Sequence, residues 1–229
     1  MNSPGPVVAV IHATPATIRP VTDAYADSFP AADVWHLLDD RLVKDADRAG
    51  GLTPELAERM HTLIRYALGA GADAVQLACS MYGPVVDQVT ADVPVLASDQ
   101  AMFDEVVNLA PRHVVVLASL APAAKDSEAR LREALADNGR SGTVRAMVAP
   151  GAAAATSAGD IEALRGAMTE AARSLDKSVD VIAFAQYSLA PAAAAVAEAV
   201  GATVVTGPHL AASTLAELLG GTPARGGRS

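Results

Sequence analysis

One stretch of this chain returns, without a gap, 107 positions later. Asp73-Ala-Val-Gln-Leu-Ala-Cys79-Ser-Met-Tyr-Gly-Pro84 lies against Asp180-Val-Ile-Ala-Phe-Ala-Gln186-Tyr-Ser-Leu-Ala-Pro191, and Val7 to Pro15 lies against Val114 to Pro122 at the same spacing. A repeat of this length means one supersecondary unit used twice, each copy closing its own core. Short β-branched or apolar runs bounded by turn residues stand at Val7–Ile11, Ala74–Ala78, Val93–Leu96, Val114–Ala118, Val144–Val148, Val181–Ala185 and Thr203–Thr206. Such runs read as strands buried in a parallel sheet. Helical stretches lie between them. Thr53-Pro54-Glu55 opens one, with a capping hydroxyl, a proline at the first helical position and an acid in the first turn. Leu56, Met60, Leu63, Ile64 and Ala67 then fall on one face. Strands alternating with helices predict an α/β fold with parallel sheet. The first half is expected over residues 1–98 plus 207–229 and the second over 99–206, with a crossover near 97–112 and a return near 206–210.

Composition narrows the class. Hydrophobic residues make up 51% and charged residues 19% of 229 positions, which excludes a disordered polyelectrolyte. Aromatics at 3% leave the core to Ala, Val, Leu and Ile. A formal net charge of −9 gives no basic face, so no nucleic-acid partner is expected. A single cysteine excludes a disulfide framework and a multi-thiolate metal site, and the histidines show no metal-ligand spacing. No metal is expected. The start, Met1 to Pro6, shows no basic region followed by an apolar run, so no signal peptide is read there. The least polar stretch, Leu189 to Val205, holds Pro191 and Glu198 and reads as an Ala-rich helix running into a strand, not a membrane span. The expected setting is cytoplasmic, with no membrane partner. The tail Gly220–Ser229 is expected to be a disordered end.

In parallel sheets, ligands sit at the carboxyl ends of the strands. Two such halves facing each other bring their strand ends to one cleft, and the repeat names the residues at its mouth. At 107 positions, His12 stands opposite Ser119 and Cys79 opposite Gln186. Cys79 ends a strand, and Pro84 is expected to enter the next helix. Backbone N–H groups at a helix start favour anions, so a thiol there ionises more readily. The same groups suit a carboxylate or an enolate-like oxyanion. Gln186 cannot exchange a proton as a thiol does, and its functional role would be to donate to or orient a substrate. His12 and His209 end strands or enter the following loops, within reach of acid, base or carboxylate-partner work. His36, His61 and His113 have no such placement. Thr14, Ser80, Ser119 and Ser188 in post-strand loops suit carboxylate binding, against the competing reading of helix capping.

Other chemistries find no footing. Gly69-Ala70-Gly71 precedes a strand instead of following one, so it is no dinucleotide fingerprint. No phosphate-cradling Gly-Lys-Ser/Thr loop is present. Ala78 and Tyr82 stand where a nucleophile elbow around Ser80 would need glycines.

The strings GADAVQLACSMYGP and VDVIAFAQYSLAP resemble the aspartate/glutamate racemase superfamily, a group that includes amino-acid and hydantoin racemases, maleate isomerase and arylmalonate decarboxylase. The resemblance runs from VVAVIHATP to VVTGPHLAAS, and HLLDDRLVKDADRAGGLTP looks like one subgroup of it. It implies two flavodoxin-like halves related by pseudo-two-fold symmetry with the site between them. It also implies a homodimer and cofactor-free chemistry at a carbon next to a carboxylate. In family racemases two cysteines on opposite faces remove and return a proton through an enolate-like intermediate. Cys79 matches the first position, while Gln186 holds the second, so the two-thiol arrangement is absent.

One thiol leaves three chemistries. Cys79 acts as single acid and base or shares the work with a non-Cys partner, or adds to an unsaturated acid, or protonates an enediolate after loss of carbon dioxide. Backbone amides around Ser80-Met81 and Tyr187-Ser188 would hold the developing charge. The reading carried forward is an isomerase-type enzyme acting on a small carboxylate. A decarboxylase or lyase of the same group is the alternative, and a non-catalytic two-lobed carboxylate-binding protein is a second. A cysteine hydrolase using His12 or His209 ranks below them, because no base–orienter pair is legible.

Overall fold

The computed structural model describes residues 5–220. The expected disordered tail beyond Gly220 and the first four residues of the amino-terminal segment lie outside the described residues. The described residues form two compact units, one of residues 5–98 and 211–220, the other of residues 99–210. Each is built on a four-stranded, all-parallel sheet flanked by helices.

Unit 1 runs β1 (Val7–His12), α1 (Ile18–Ser28), β2 (Asp33–Leu38), α2 (Leu42–Ala49), α3 (Pro54–Gly69), β3 (Ala74–Leu77), a 3-10 segment (Ser80–Gln88) and β4 (Val95–Leu96). Its strand order is β2-β1-β3-β4. Thr53 caps α3 as its sequence predicts, accepting from the Leu56 N–H at 3.3 Å, and Leu56, Met60, Ile64 and Ala67 are buried on one face. They pack on Ala9, Ile11, Ala13, Val75 and Leu77, the side chains that β1 and β3 send to that side. Gly50 ends α2 at φ +79°, its N–H on the Ala46 and Asp47 carbonyls, a left-handed cap that a β-carbon would strain.

Unit 2 runs α4 (Gln100–Leu109), β5 (His113–Ala118), α5 (Ala121–Asp137), β6 (Thr143–Val148), α6 (Ala152–Ala158), α7 (Ile161–Arg173), β7 (Val181–Phe184), a 3-10 segment (Tyr187–Ala192), α8 (Ala193–Val200) and β8 (Thr203–Thr206). Its order, β6-β5-β7-β8, repeats that of unit 1. The last helix, α9 (Gly207–Gly220), begins in this unit and passes into unit 1 at Ala211. One face of the sheet, Val114, Val116, Ala118, Val181, Ala183 and Ala185, packs on α4 and α5. The other, Leu117, Ile182 and Phe184, packs on α6, α7 and α8.

Three sequence expectations are corrected. Asp33–Leu38 is a strand the sequence reading did not contain; it is an edge strand whose interior residues are all only half-buried, so it lacks the apolar run of a buried parallel strand. Pro84 enters no α-helix. It lies inside the nine-residue 3-10 segment that follows Cys79, where its missing N–H and fixed φ suit a tight turn better than a helix interior.

The third concerns the repeat. β3 and β7 correspond at 107 positions, but β1 and β5 correspond at 106. Val8 pairs with Ala74 as Val114 pairs with Val181. The Asp73 N–H bonds the Val7 carbonyl as the Asp180 N–H bonds that of His113, and the Asp39 N–H bonds His12 as the Ala149 N–H bonds Ala118. Hence Ser119 corresponds to Ala13, and His12 to Ala118. A one-residue slip turns every side chain of a strand to the opposite face.

Candidate active site

The corrected register separates the candidates by face. Cys79 follows β3 on the α2–α3 side, half-buried against the core that holds Ile11, Leu77 and Tyr82. It caps the 3-10 segment in extended conformation, and its carbonyl accepts the Tyr82 N–H at 3.2 Å. Ser80 and Met81 are the first residues of that segment, both half-buried. Tyr82 is wholly buried and donates its hydroxyl to the Leu42 carbonyl at 3.0 Å. Burial first, and then the charge of Cys79, push its phenol up to about 12. Beside it, Arg59 from α3 holds Asp39 at 2.6 Å and Asp45 at 3.0 Å. The turn after Cys79 is thus tied to the segment after β2.

His12 leaves the sheet on the α1 side, wholly buried, with both ring nitrogens engaged. Nδ1 lies 2.7 Å from the Thr17 hydroxyl and Nε2 lies 2.9 Å from His36 Nδ1. Burial, with a smaller contribution from His36, lowers its pKa to about 3. The sequence reading grouped His12 with Cys79; the structure puts them on opposite faces of the β1–β3 sheet. Thr14 begins the short turn after β1, its hydroxyl 3.4 Å from the Ala16 N–H, which is the capping role. His36, given no role from sequence, is the partner of His12. The signal that could have found it is the strand β2 itself, in which His36 lies directly beside Val10 of β1 on the His12 face.

In unit 2, Gln186 follows β7 as Cys79 follows β3. Its carboxamide oxygen accepts the Ser119 N–H at 2.8 Å and the Ser119 hydroxyl at 2.9 Å. A backbone N–H can only donate, so the bond fixes which end of the amide is oxygen and leaves its NH2 as the donor group. Tyr187 and Ser188 open the following 3-10 segment and are buried, and the Leu189 N–H closes on the Gln186 carbonyl at 3.1 Å. His209 is not in a loop but in the first turn of α9, exposed, because the chain resumes helix directly after β8.

A surface cavity of about 320 Å³ in unit 2 is lined by His113, Thr143, Arg145, Asp176 and Ser178 at the amino ends of β5 and β6, the end of the sheet away from Ser119 and Gln186. Among the described residues, no cluster of three His, Cys, Asp or Glu side chains could hold a metal ion, and no helix is long and apolar enough to cross a membrane.

Two parallel sheets of one strand order, each with a strand-end turn opened by Cys79 or Gln186, can be set against solved structures. An aspartate racemase from Picrophilus torridus superposes with a TM-score of 0.73 at 14% identity, covering 94% of this chain and 95% of its own. A glutamate racemase from Bacillus anthracis gives 0.71 at 12%, covering 95% and 83%. The fold is that of the amino-acid racemases. An allantoin racemase from Pseudomonas fluorescens shares it as well, at a TM-score of 0.67 and 20% identity over 93% of this chain and 90% of its own. No protein-family model and no curated protein matches the sequence.

Proposed function

We propose that the chain is a cofactor-independent isomerase of the aspartate/glutamate racemase superfamily, working in the cytoplasm as a homodimer on a small organic or amino acid. The observation that carries this reading is the thiol of Cys79 at the carboxyl end of β3, in a fold shared with aspartate, glutamate and allantoin racemases. Ligands of parallel sheets bind at that end. Cys79, as thiolate, takes the proton from the carbon next to the carboxylate. The C–H electron pair moves into an enolate, and the thiol returns the proton to the same carbon. The step is redox-neutral. The backbone amides at Ser80-Met81, in the unit that carries Cys79, are assigned the developing oxyanion, and those at Tyr187-Ser188 with the Gln186 NH2 are the like donors of unit 2; one such donor is worth on the order of 3 kcal/mol. Thr14 is assigned to the carboxylate; Ser119, whose N–H and hydroxyl hydrogen both go to the Gln186 oxygen, orients that amide. His12, buried on the other face, supports its loop instead.

The Ser119 grip on Gln186 favours asymmetric chemistry, because a neutral amide fixed at its oxygen returns no proton. Proton return by Cys79 alone inverts that carbon only when the enolate has turned its other face to the thiol; without that turn it gives hydrogen exchange with retention. A decarboxylase or lyase is the variant in which Cys79 protonates an enediolate left by carbon dioxide loss. The same grip also fits a protein that binds carboxylates without turning them over. Alkylation kinetics separate the catalytic readings from the binding one: Cys79 should react with iodoacetamide faster than a free peptide thiol at pH 7. A slower rate would transfer the weight to the binding protein.

A further inference from the structure

The α1 face of unit 1 differs from its counterpart in unit 2. Val114, Val116, Ala118, Val181, Ala183 and Ala185 make that face hydrocarbon in unit 2. In unit 1, His12 stands in the place of Ala118 and Gln76 in the place of Ala183. Gln76 is matched by Tyr25, whose hydroxyl donates to Oε1 at 2.5 Å. The fold closes without these polar groups, so their presence in one copy asks for another reason.

Hydrogen counting supplies it. Thr17 donates its hydroxyl to the Thr14 carbonyl at 3.0 Å, which uses its only hydrogen. The 2.7 Å contact between Thr17 and His12 must therefore be filled by a hydrogen on His12 Nδ1. His12 is held neutral, so its Nε2 is a lone pair, and the 2.9 Å contact there is donated by His36 Nδ1. On the far side, His36 Nε2 lies 3.3 Å from the Thr22 hydroxyl, which is itself 3.0 Å from the Ile18 carbonyl. Thr22 has one hydrogen for two acceptors. Four neutral side chains thus bring four hydrogens to five contacts. A fifth, on His36 Nε2, fills the row from Ile18 to Thr14.

We propose that His36 is the proton-binding residue of this row and, through His12 and Thr17, the positioning residue for the turn that carries Thr14. Proton uptake at Nε2 lets Thr22 donate wholly to Ile18 and completes the row. Burial lowers the pKa of the half-buried His36 below the ordinary imidazole value and that of the wholly buried His12 further, to about 3, so as the pH falls His36 takes the proton first. The charged groups on the packed elements lie away from the rings, and Asp27 of α1 is exposed. Arg19 and Asp23 of α1 pair with each other at 2.9 Å, Asp33 is exposed at the far end of β2, and Asp39 beyond β2 is held by Arg59. Among the described residues neither ring is bonded by a carboxylate. This proposal goes beyond the Cys79 chemistry and stands without it.

The test is long-range 1H–15N correlation spectroscopy of the full-length, 15N-histidine-labelled protein between pH 4.5 and 8. The expected result is His12 neutral with hydrogen on Nδ1 throughout, and His36 with hydrogen on Nδ1 at pH 8, gaining a second on Nε2 as the pH falls. The Ala16 amide, capped by Thr14, should shift with the His36 midpoint. His36→Asn, which keeps a donor to His12, should leave the His12 tautomer unchanged and abolish the Ala16 titration. His12 carrying its hydrogen on Nε2, His12 charging before His36, or no His36 titration in this range would overturn the proposal. An Ala16 amide indifferent to the His36 midpoint would overturn the positioning role.

Discussion

Gln186 accepts two hydrogen bonds through one oxygen from one residue, the N–H and the hydroxyl of Ser119, at 2.8 and 2.9 Å. The two residues follow neighbouring strands, β7 and β5, and the pair fixes the amide before any substrate arrives. At the equivalent places in unit 1 stand Cys79 and Ala13.

The two halves of that grip have different worth. Ser119→Ala removes one bond and leaves the backbone one, and should cost about 1 kcal/mol of unfolding free energy. Gln186→Ala leaves both the N–H and the hydroxyl of Ser119 without this acceptor and should cost about 1–3 kcal/mol. Urea unfolding at constant slope reads both values. Equal costs would contradict the assignment of the backbone N–H as a principal partner.

Tyr82 ties the turn after Cys79 to Leu42 through one hydroxyl. Tyr82→Phe should lower stability by about 1–2 kcal/mol, since the Leu42 carbonyl loses its donor. It should also raise the alkylation rate of Cys79 by loosening its turn. With the phenol pushed up to about 12, the wild-type minus Tyr82→Phe difference at 295 nm should stay near zero at pH 10.5. A full tyrosinate signal at that pH would contradict the burial of the hydroxyl.

His12 makes stability depend on pH in a known direction. Its folded pKa of about 3 lies below the ordinary 6.5, so the unfolded chain takes up the proton first. The contribution is therefore complete above pH 6.5 and is lost as the pH falls from 6.5 towards 3. At about 1.4 kcal/mol per pH unit, the loss reaches roughly 4 kcal/mol at the acid end. Urea midpoints of wild type and His12→Asn between pH 7.5 and 4 should converge as the pH drops. Parallel curves would show that His12 is not held neutral.

Arg130 grips Asp99 through both Nη atoms, the Nη2–Oδ1 contact at 3.0 Å, with its Cζ 5.4 Å from the centroid of the Phe103 ring. Burial raises the Asp99 carboxyl and Arg130 opposes that rise. Arg130→Met alone strands a buried acid and should cost about 3–5 kcal/mol, while the double variant with Asp99→Asn should recover most of it. Thermal melting of the two variants checks this, and no recovery in the double would refute the pairing.

Much of this architecture is legible in the sequence, and the failures have physical causes. β3, β5 and β7 are short apolar runs bounded by turns, and Thr53-Pro54 signals α3 by capping chemistry alone. β2 escaped because an edge strand carrying Trp35 and His36 needs no unbroken apolar run. The repeat revealed the strand ends at Cys79 and Gln186 correctly. It misplaced His12, because Val-rich β1 and β5 align equally well one residue apart and only the hydrogen-bond ladder fixes the register. The His12–His36 and Ser119–Gln186 bonds join residues 24 and 67 positions apart, a distance that no local pattern spans.

Deuterium incorporation tests the central claim most directly. Wild-type protein in deuterium oxide is followed by proton NMR with a panel of amino, hydroxy, unsaturated and malonate-type acids, beside Cys79→Ala. The account predicts wash-in at the carbon next to the carboxylate of at least one acid, abolished in Cys79→Ala. Wash-in that survives the loss of Cys79, or a panel that binds with broadened lines and exchanges nothing, would contradict it.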